Sequence, residues 1–263
     1  MKRLFFVGLA MLLLMPIVAS AQSAFDGTWK INLSDAQFSK KPDVYLLQND
    51  MYECKTCVPP INVKADGQDQ KVTGHPYYDS VAIKVVNDHE IEETDKKNGK
   101  TVTTSTMTVS PDGNTLMFSF DDSSNTSAQP VTGKGEATRV AKGPAGANAI
   151  SGSWRTTKFE TISDNGLMWT YKVSGDELTM TAPTGQSYTA KLNGSEAPFK
   201  GDPGTTSVSV KMMGKSTLEE TDYRDGKPIT MMKMVLAPDG KTMKIKVDDK
   251  LRGTKSEFMA TKQ

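Results

Sequence analysis

The sequence predicts an all-β protein, a tandem pair of antiparallel up-and-down β-barrels, with a β-sandwich as the runner-up. Three observations carry this. Apolar residues alternate with polar ones at a period of two, and residues 22–263 hold no amphipathic helical segment of useful length. Turn-forming pairs such as Asn165-Gly166, Asn193-Gly194 and Asp239-Gly240 punctuate the alternation. The chain also writes one phrase twice: EETDKKNGKTVTTSTMTVSPDGNTL from Glu92 to Leu116, and EETDYRDGKPITMMKMVLAPDGKTM from Glu219 to Met243.

The N-terminal segment is set apart from the fold. Lys2 and Arg3 precede an apolar run from Leu4 to Val18, followed by Ala19, Ser20 and Ala21. A basic start, an apolar core and an A-x-A-like end predict a signal peptide over 1–21. The run is shorter than the roughly 20 apolar residues of a membrane anchor, so no span is expected after cleavage. Removing Lys2 and Arg3 leaves 30 basic against 31 acidic residues, a net charge of −1. That balance gives no electrostatic footprint for nucleic acid. The expected location is periplasmic or secreted.

The repeat sets the domain count. An offset of 127 places Gly67 on Gly194, Pro76 on Pro203, Glu92–Asp95 on Glu219–Asp222 and Pro111–Gly113 on Pro238–Gly240. About 20 of roughly 60 positions match without a gap, far above chance for unrelated segments. Upstream, Gly27-Thr28-Trp29 answers Gly152-Ser153-Trp154 with a two-residue shift. Each copy is domain-sized, and the Gly, Pro and Ala of AKGPAGANA mark a linker. The expected domains are 22–140 and 150–263, joined by 141–149.

Within each copy the strands follow from parity. Leu167, Trp169, Tyr171 and Val173 alternate with polar residues or methionine, as do Met243, Ile245 and Val247, and Leu116, Phe118 and Phe120. Val81, Ile83 and Val85 answer Val208, Val210 and Met212. Eight or nine short strands per copy fit a closed barrel, which removes unpaired edges.

The G-x-W that opens each copy resembles the lipocalin and fatty-acid-binding superfamily. The resemblance implies a first-strand Trp that plugs one barrel end, under a basic residue from the last strand. Trp29 with Arg139 is that pair in the first copy, and Trp154 with Lys262 or Arg155 in the second. The stretches DGQDQKVTGHPYYDSVAIKV, EETD…GK…T…VSPDGNTL and ISGSWR are similar to a family of secreted bacterial proteins of unassigned function. That similarity implies lipocalin-like domains in the cell envelope and names no substrate.

Chemistry-bearing residues are few. Cys54 and Cys57 are the only cysteines. Val58 follows them where a c-type haem site needs His. A redox pair prefers its first Cys at a helix N-terminus, and one C-x-x-C is half a zinc site. A disulfide at a hairpin tip is the expectation, with redox and metal roles as alternatives. His75 and His89 have no identifiable partners and are expected on the surface. Met231, Met232 and Met234 are soft enough for Cu(I), but neighbours in a strand face opposite ways. No catalytic residue, cofactor or metal site is expected.

Glu93 and Glu220 occupy matching positions in the two phrases. If Ile91 and Leu218 point inward, parity turns both carboxylates inward, as polar groups of a ligand cavity. The cost of burying a carboxylate favours the alternative, a bulge or strand end that turns them to solvent. The expected function is a non-enzymatic barrel protein that binds a small apolar ligand. The alternative is a structural or protein-interaction module with filled barrels, its protein partner unidentified.

Overall fold

The computed structural model describes residues 23–125 and 129–263, so the predicted signal peptide lies outside the described residues. Twenty strands follow one another. They are β1 (Gly27–Gln37), β2 (Asp43–Gln48), β3 (Met51–Cys54), β4 (Ile61–Lys64), β5 (Gln70–Lys71), β6 (Ser80–Asn87), β7 (Glu90–Lys97), β8 (Lys100–Val109), β9 (Thr115–Asp122) and β10 (Val131–Lys142). The second ten are β11 (Gly152–Ile162), β12 (Met168–Ser174), β13 (Glu177–Thr181), β14 (Ser187–Lys191), β15 (Asn193–Pro198), β16 (Ser207–Met212), β17 (Thr217–Arg224), β18 (Lys227–Leu236), β19 (Thr242–Asp249) and β20 (Thr254–Lys262). A single 3₁₀ turn, Asp164–Gly166, is the one helical element among the described residues.

The strands form two nearly closed, antiparallel, ten-stranded barrels, as the alternation predicts, with one or two more strands apiece than expected. The pairing divides the chain differently from 22–140 and 150–263. One sheet runs β4-β3-β2-β11-β10-β9-β8-β7-β6-β5, the other β14-β13-β12-β1-β20-β19-β18-β17-β16-β15. The first barrel is therefore the continuous stretch 43–162. The second takes β1 from the N-terminal end and β12–β20 from the C-terminal end. Each repeat has handed its G-x-W strand to the other barrel.

This exchange corrects two expectations. The stretch 141–149 is no linker between domains. It belongs to the β10–β11 hairpin and packs on the end of the first barrel, where Asn148 N–H donates to Leu47 O and Ala149 N–H to Asp88 O. The true crossovers lie at 38–42 and 163–167, between strands of different sheets. The tryptophan pairs change with it. Arg139 lies 3.9 Å over the ring of Trp154, and Lys262 lies 4.9 Å over Trp29. The expected pair of Trp29 with Arg139 does not form, because Arg139 and Trp29 sit in different sheets.

The two plugs share one construction. Trp29 Nε1–H donates to Phe25 O and Trp154 Nε1–H to Ile150 O, both at 2.8 Å. Lys262 Nζ donates to Ala24 O, and Arg139 Nη2 to Ala149 O. The glycine of G-x-W is needed for this. A Cβ on Gly152, whose φ is +133°, would stand 2.3 Å from Ala141 O and 2.8 Å from Arg139 Nη1. Phe25, Trp29 and Leu178 anchor one core, and Ile83, Ile150 and Trp154 the other.

The barrels meet at the ends opposite their plugs. Phe38, just past β1, packs on Phe159 of β11 at 5.4 Å. Tyr77 Oη–H and Asn125 Nδ2–H, from loops of the first barrel, donate to Asp202 of the β15–β16 loop at 3.0 and 2.8 Å. Arg252, in the β19–β20 turn, pairs with Asp43.

Candidate functional site in the first barrel

One concavity lies on the second barrel. A groove of about 750 Å³ crosses β17–β20 and the segment after β1. Its lining joins exposed Met231, Lys233, Lys246 and Lys255 to Glu220, Met232 and Val247, whose side chains belong to the second barrel's interior. Met231 points out at 44 % exposure while Met232 packs inward, as neighbours in a strand do.

A smaller space lies inside the first barrel. A cavity of about 320 Å³ is lined by Tyr45, Met107, Phe118, Phe120, Trp154 and Phe159, with Asp43 and Arg252 also among its lining residues. This is at the small end of ligand pockets. Trp154 is buried at the closed end. Phe159 meets Phe118 and Phe120 edge-on at 5.4 and 6.5 Å, the geometry that aromatic quadrupoles favour.

Cross-strand partners distinguish the two interiors. Asp43 stands opposite Trp154 on the neighbouring strand, whereas Trp169 stands opposite Trp29. Phe118 and Phe120 lie over Gly135 and Gly133, where a Cβ would come within 2.5 Å of each ring. Ile245 and Val247 instead face Phe258 and Ser256. Ser105 opposite Glu93 becomes Met232 opposite Glu220. Trp169, Met232 and Phe258 thus pack against the second core, in places where the first barrel has Asp43, Ser105 and Gly135.

Glu93 and Glu220 do point inward, contrary to the favoured expectation, because the register runs unbroken from Ile91 to Glu93 and from Leu218 to Glu220. Glu220 is only 4 % exposed. Its Oε2 accepts from Tyr188 Oη at 2.5 Å and Tyr171 Oη at 3.3 Å, which partners the charge that burial would otherwise penalise. Burial pushes the carboxyls of Glu93 and Glu220 up to about 7. Two residues on, Asp95 and Asp222 are pushed up to about 8, first by burial and then by the neighbouring glutamate. Asp95 is 7 % exposed, and Oδ1 of both aspartates has no hydrogen-bond partner. Burial, and then the charges of Asp43 and Glu93, push the Tyr45 phenol far up, so its hydroxyl stays protonated.

The remaining predicted residues are placed plainly. Cys54 and Cys57 form a disulfide at the tip after β3, as expected. His89 is exposed, but His75 is buried at 8 % and stacks on Tyr78 at 4.7 Å, which corrects its surface placement. Asp43, Tyr45, Phe159 and Arg252 were not singled out in the sequence. Only Asp95 and Asp222 carried a signal, as the last letter of the repeated EETD. Among the described residues no group of three or more His, Cys, Asp or Glu could hold a metal ion, and no helix is long and apolar enough to cross a membrane. No protein-family model matches the chain, and no curated protein matches it.

Proposed function

We propose that this is a non-enzymatic, lipocalin-like protein of the periplasm or the secreted fraction, and that its first barrel binds a small apolar ligand. One observation carries the binding reading: an aromatic-walled cavity of about 320 Å³, sealed at one end by Trp154. The signal-like N-terminal sequence and the Cys54–Cys57 disulfide support the compartment. The packing of Trp169, Met232 and Phe258 favours a second reading for the other half, a filled barrel with a structural role.

The test is to purify the protein natively, denature it and analyse the released small molecules by mass spectrometry, beside the Ser105→Met variant. That substitution installs the side chain found at the matching place in the filled barrel. A small molecule released by the native protein and lost from the variant is the expected result. Release from neither, with no small apolar probe bound in calorimetry, would remove the binding reading and leave two structural barrels.

A further inference from the structure

The mouth of the first barrel's cavity is not completed by the first barrel. Arg252 reaches it from the β19–β20 turn of the second. The backbone of that turn is fixed: Asp249 Oδ1 accepts from the N–H groups of Leu251 and Arg252 at 2.9 and 3.0 Å, and Lys41 Nζ donates to Arg252 O. The guanidinium is thus delivered to one place, while its side chain stays 44 % exposed and pairs, among the described residues, with Asp43. The Asp43 side chain is 26 % exposed, so solvent reaches both members of the pair and the acidic partner is exchangeable. Asp43 also has a second donor, Thr56 Oγ1 at 3.4 Å.

We propose that the cavity takes a small aromatic carboxylic acid, whose carboxylate replaces Asp43 on Arg252 while its ring lies among Phe118, Phe120 and Phe159. The inference rests on the binding reading above and names its ligand class. A guanidinium presents a planar fork that matches a carboxylate at two points, which neither an alcohol nor an amine can use. Aromatic walls favour a ring edge-on or offset over an aliphatic chain. Glu93, whose charge reaches Tyr45 of the lining, is held partly neutral by burial and opposes an incoming anion less than its formal charge suggests. The second barrel then has a part in binding: its hairpin supplies the residue that reads the head group.

The experiment uses the purified protein and three probes with one skeleton, trans-cinnamate, cinnamyl alcohol and cinnamylamine, titrated by calorimetry at neutral pH. Cinnamate is expected to bind about tenfold tighter than the alcohol, the equivalent of one charge-assisted hydrogen bond at an exposed site. Arg252→Gln should remove that preference while alcohol binding and the far-UV spectrum stay unchanged. Arg252→Lys should keep only part of it. Asp43→Asn, which removes the competing carboxylate, should tighten cinnamate. If the alcohol or the amine binds as well as the acid, or if Arg252→Gln leaves cinnamate unaffected, the head-group assignment is overturned and the cavity reading stands. If none of the three binds, both are overturned.

Discussion

Arg139, near the end of the first repeat, covers the ring of Trp154, which opens the second. Its guanidinium also donates to Ser151 O at 2.7 Å and to Ala149 O at 2.7 Å, so it ties the β10–β11 loop over the indole. The mirror contact, Lys262 over Trp29, closes the other barrel. Each tryptophan therefore supports the barrel of the opposite repeat. Truncating a fully buried Trp to Ala costs about 3–5 kcal/mol. Trp154→Ala should lower the stability of the barrel formed by 43–162, and Trp29→Ala that of the barrel containing β12–β20. Hydrogen exchange resolved by peptide checks this: loss of protection in β6–β9 for Trp29→Ala would contradict the exchange of strands.

The exchange also fixes which fragments fold. Residues 43–162 hold all ten strands of the first barrel with its plug, whereas 22–140 lack β11 and 150–263 lack β1. Fragment 43–162 should give a dispersed amide NMR spectrum, and 22–140 a collapsed one. Equal dispersion from both would show that β11 is dispensable.

Much of this architecture was legible in the sequence, and the exchange was not. Parity showed the strands because side chains in a pleated sheet alternate regardless of which sheet the strand joins. The offset of 127 showed two copies of one unit. But β1 and β11 both open with Gly-x-Trp, and a shared strand pattern does not say which last strand each one pairs with. For the same reason AKGPAGANA looked like a linker: a long hairpin loop and a domain linker share a Gly, Pro and Ala composition. The disulfide was readable because two cysteines leave one pairing. The inward turn of Glu93 and Glu220 is visible in parity, the cost of burial speaks against it, and for Glu220 that cost is met by Tyr171 and Tyr188 from β12 and β14 in the second barrel. Arg252 and Asp43 meet across both barrels, and nothing in one strand's pattern signals a contact of that range.

The buried acids set the pH dependence. The unfolded carboxyls titrate near about 4, whereas in the fold Glu93 and Glu220 are raised to about 7, and Asp95 and Asp222 to about 8. Between those limits the folded protein binds more protons than the unfolded chain, so stability falls as pH rises. That stability is fully present below about pH 4 and is lost as the pH rises through about 7 to 8. Urea midpoints measured from pH 5 to pH 9 should decline steadily. Asp222→Asn, which replaces a buried carboxyl whose Oδ1 has no hydrogen-bond partner by an amide that does not titrate, should flatten the decline for the second barrel. A stability that rises over this range would contradict the burial of these groups in protonated form.

Asp202 joins the two barrels through one carboxylate. It accepts from Tyr77 Oη and Asn125 Nδ2 of the first barrel, and from the N–H groups of Gly204 and Thr205 in its own loop at 2.6 and 3.0 Å. The loop is shaped to receive Tyr77, because a Cβ on Gly204 would fall 2.2 Å from the Tyr77 hydroxyl. The charge is partly screened from water by these donors, and each hydrogen bond to a charged group contributes about 1.5–3 kcal/mol. In the first repeat the matching position is His75, which stacks on Tyr78 instead, so the contact has no symmetric twin and a single substitution removes it. Asp202→Ala should leave both barrels folded, since the side chain lies outside both cores, but should weaken their coupling. In calorimetry a single cooperative transition should separate into two, with Asp202→Asn intermediate because the amide oxygen still accepts from Tyr77. Tyr77→Phe should reproduce part of the separation, and Gly204→Ala more of it, since the methyl group displaces the tyrosine. Unfolding that stays a single transition in all four variants would place the coupling elsewhere, at the Phe38–Phe159 contact and the Arg252–Asp43 pair.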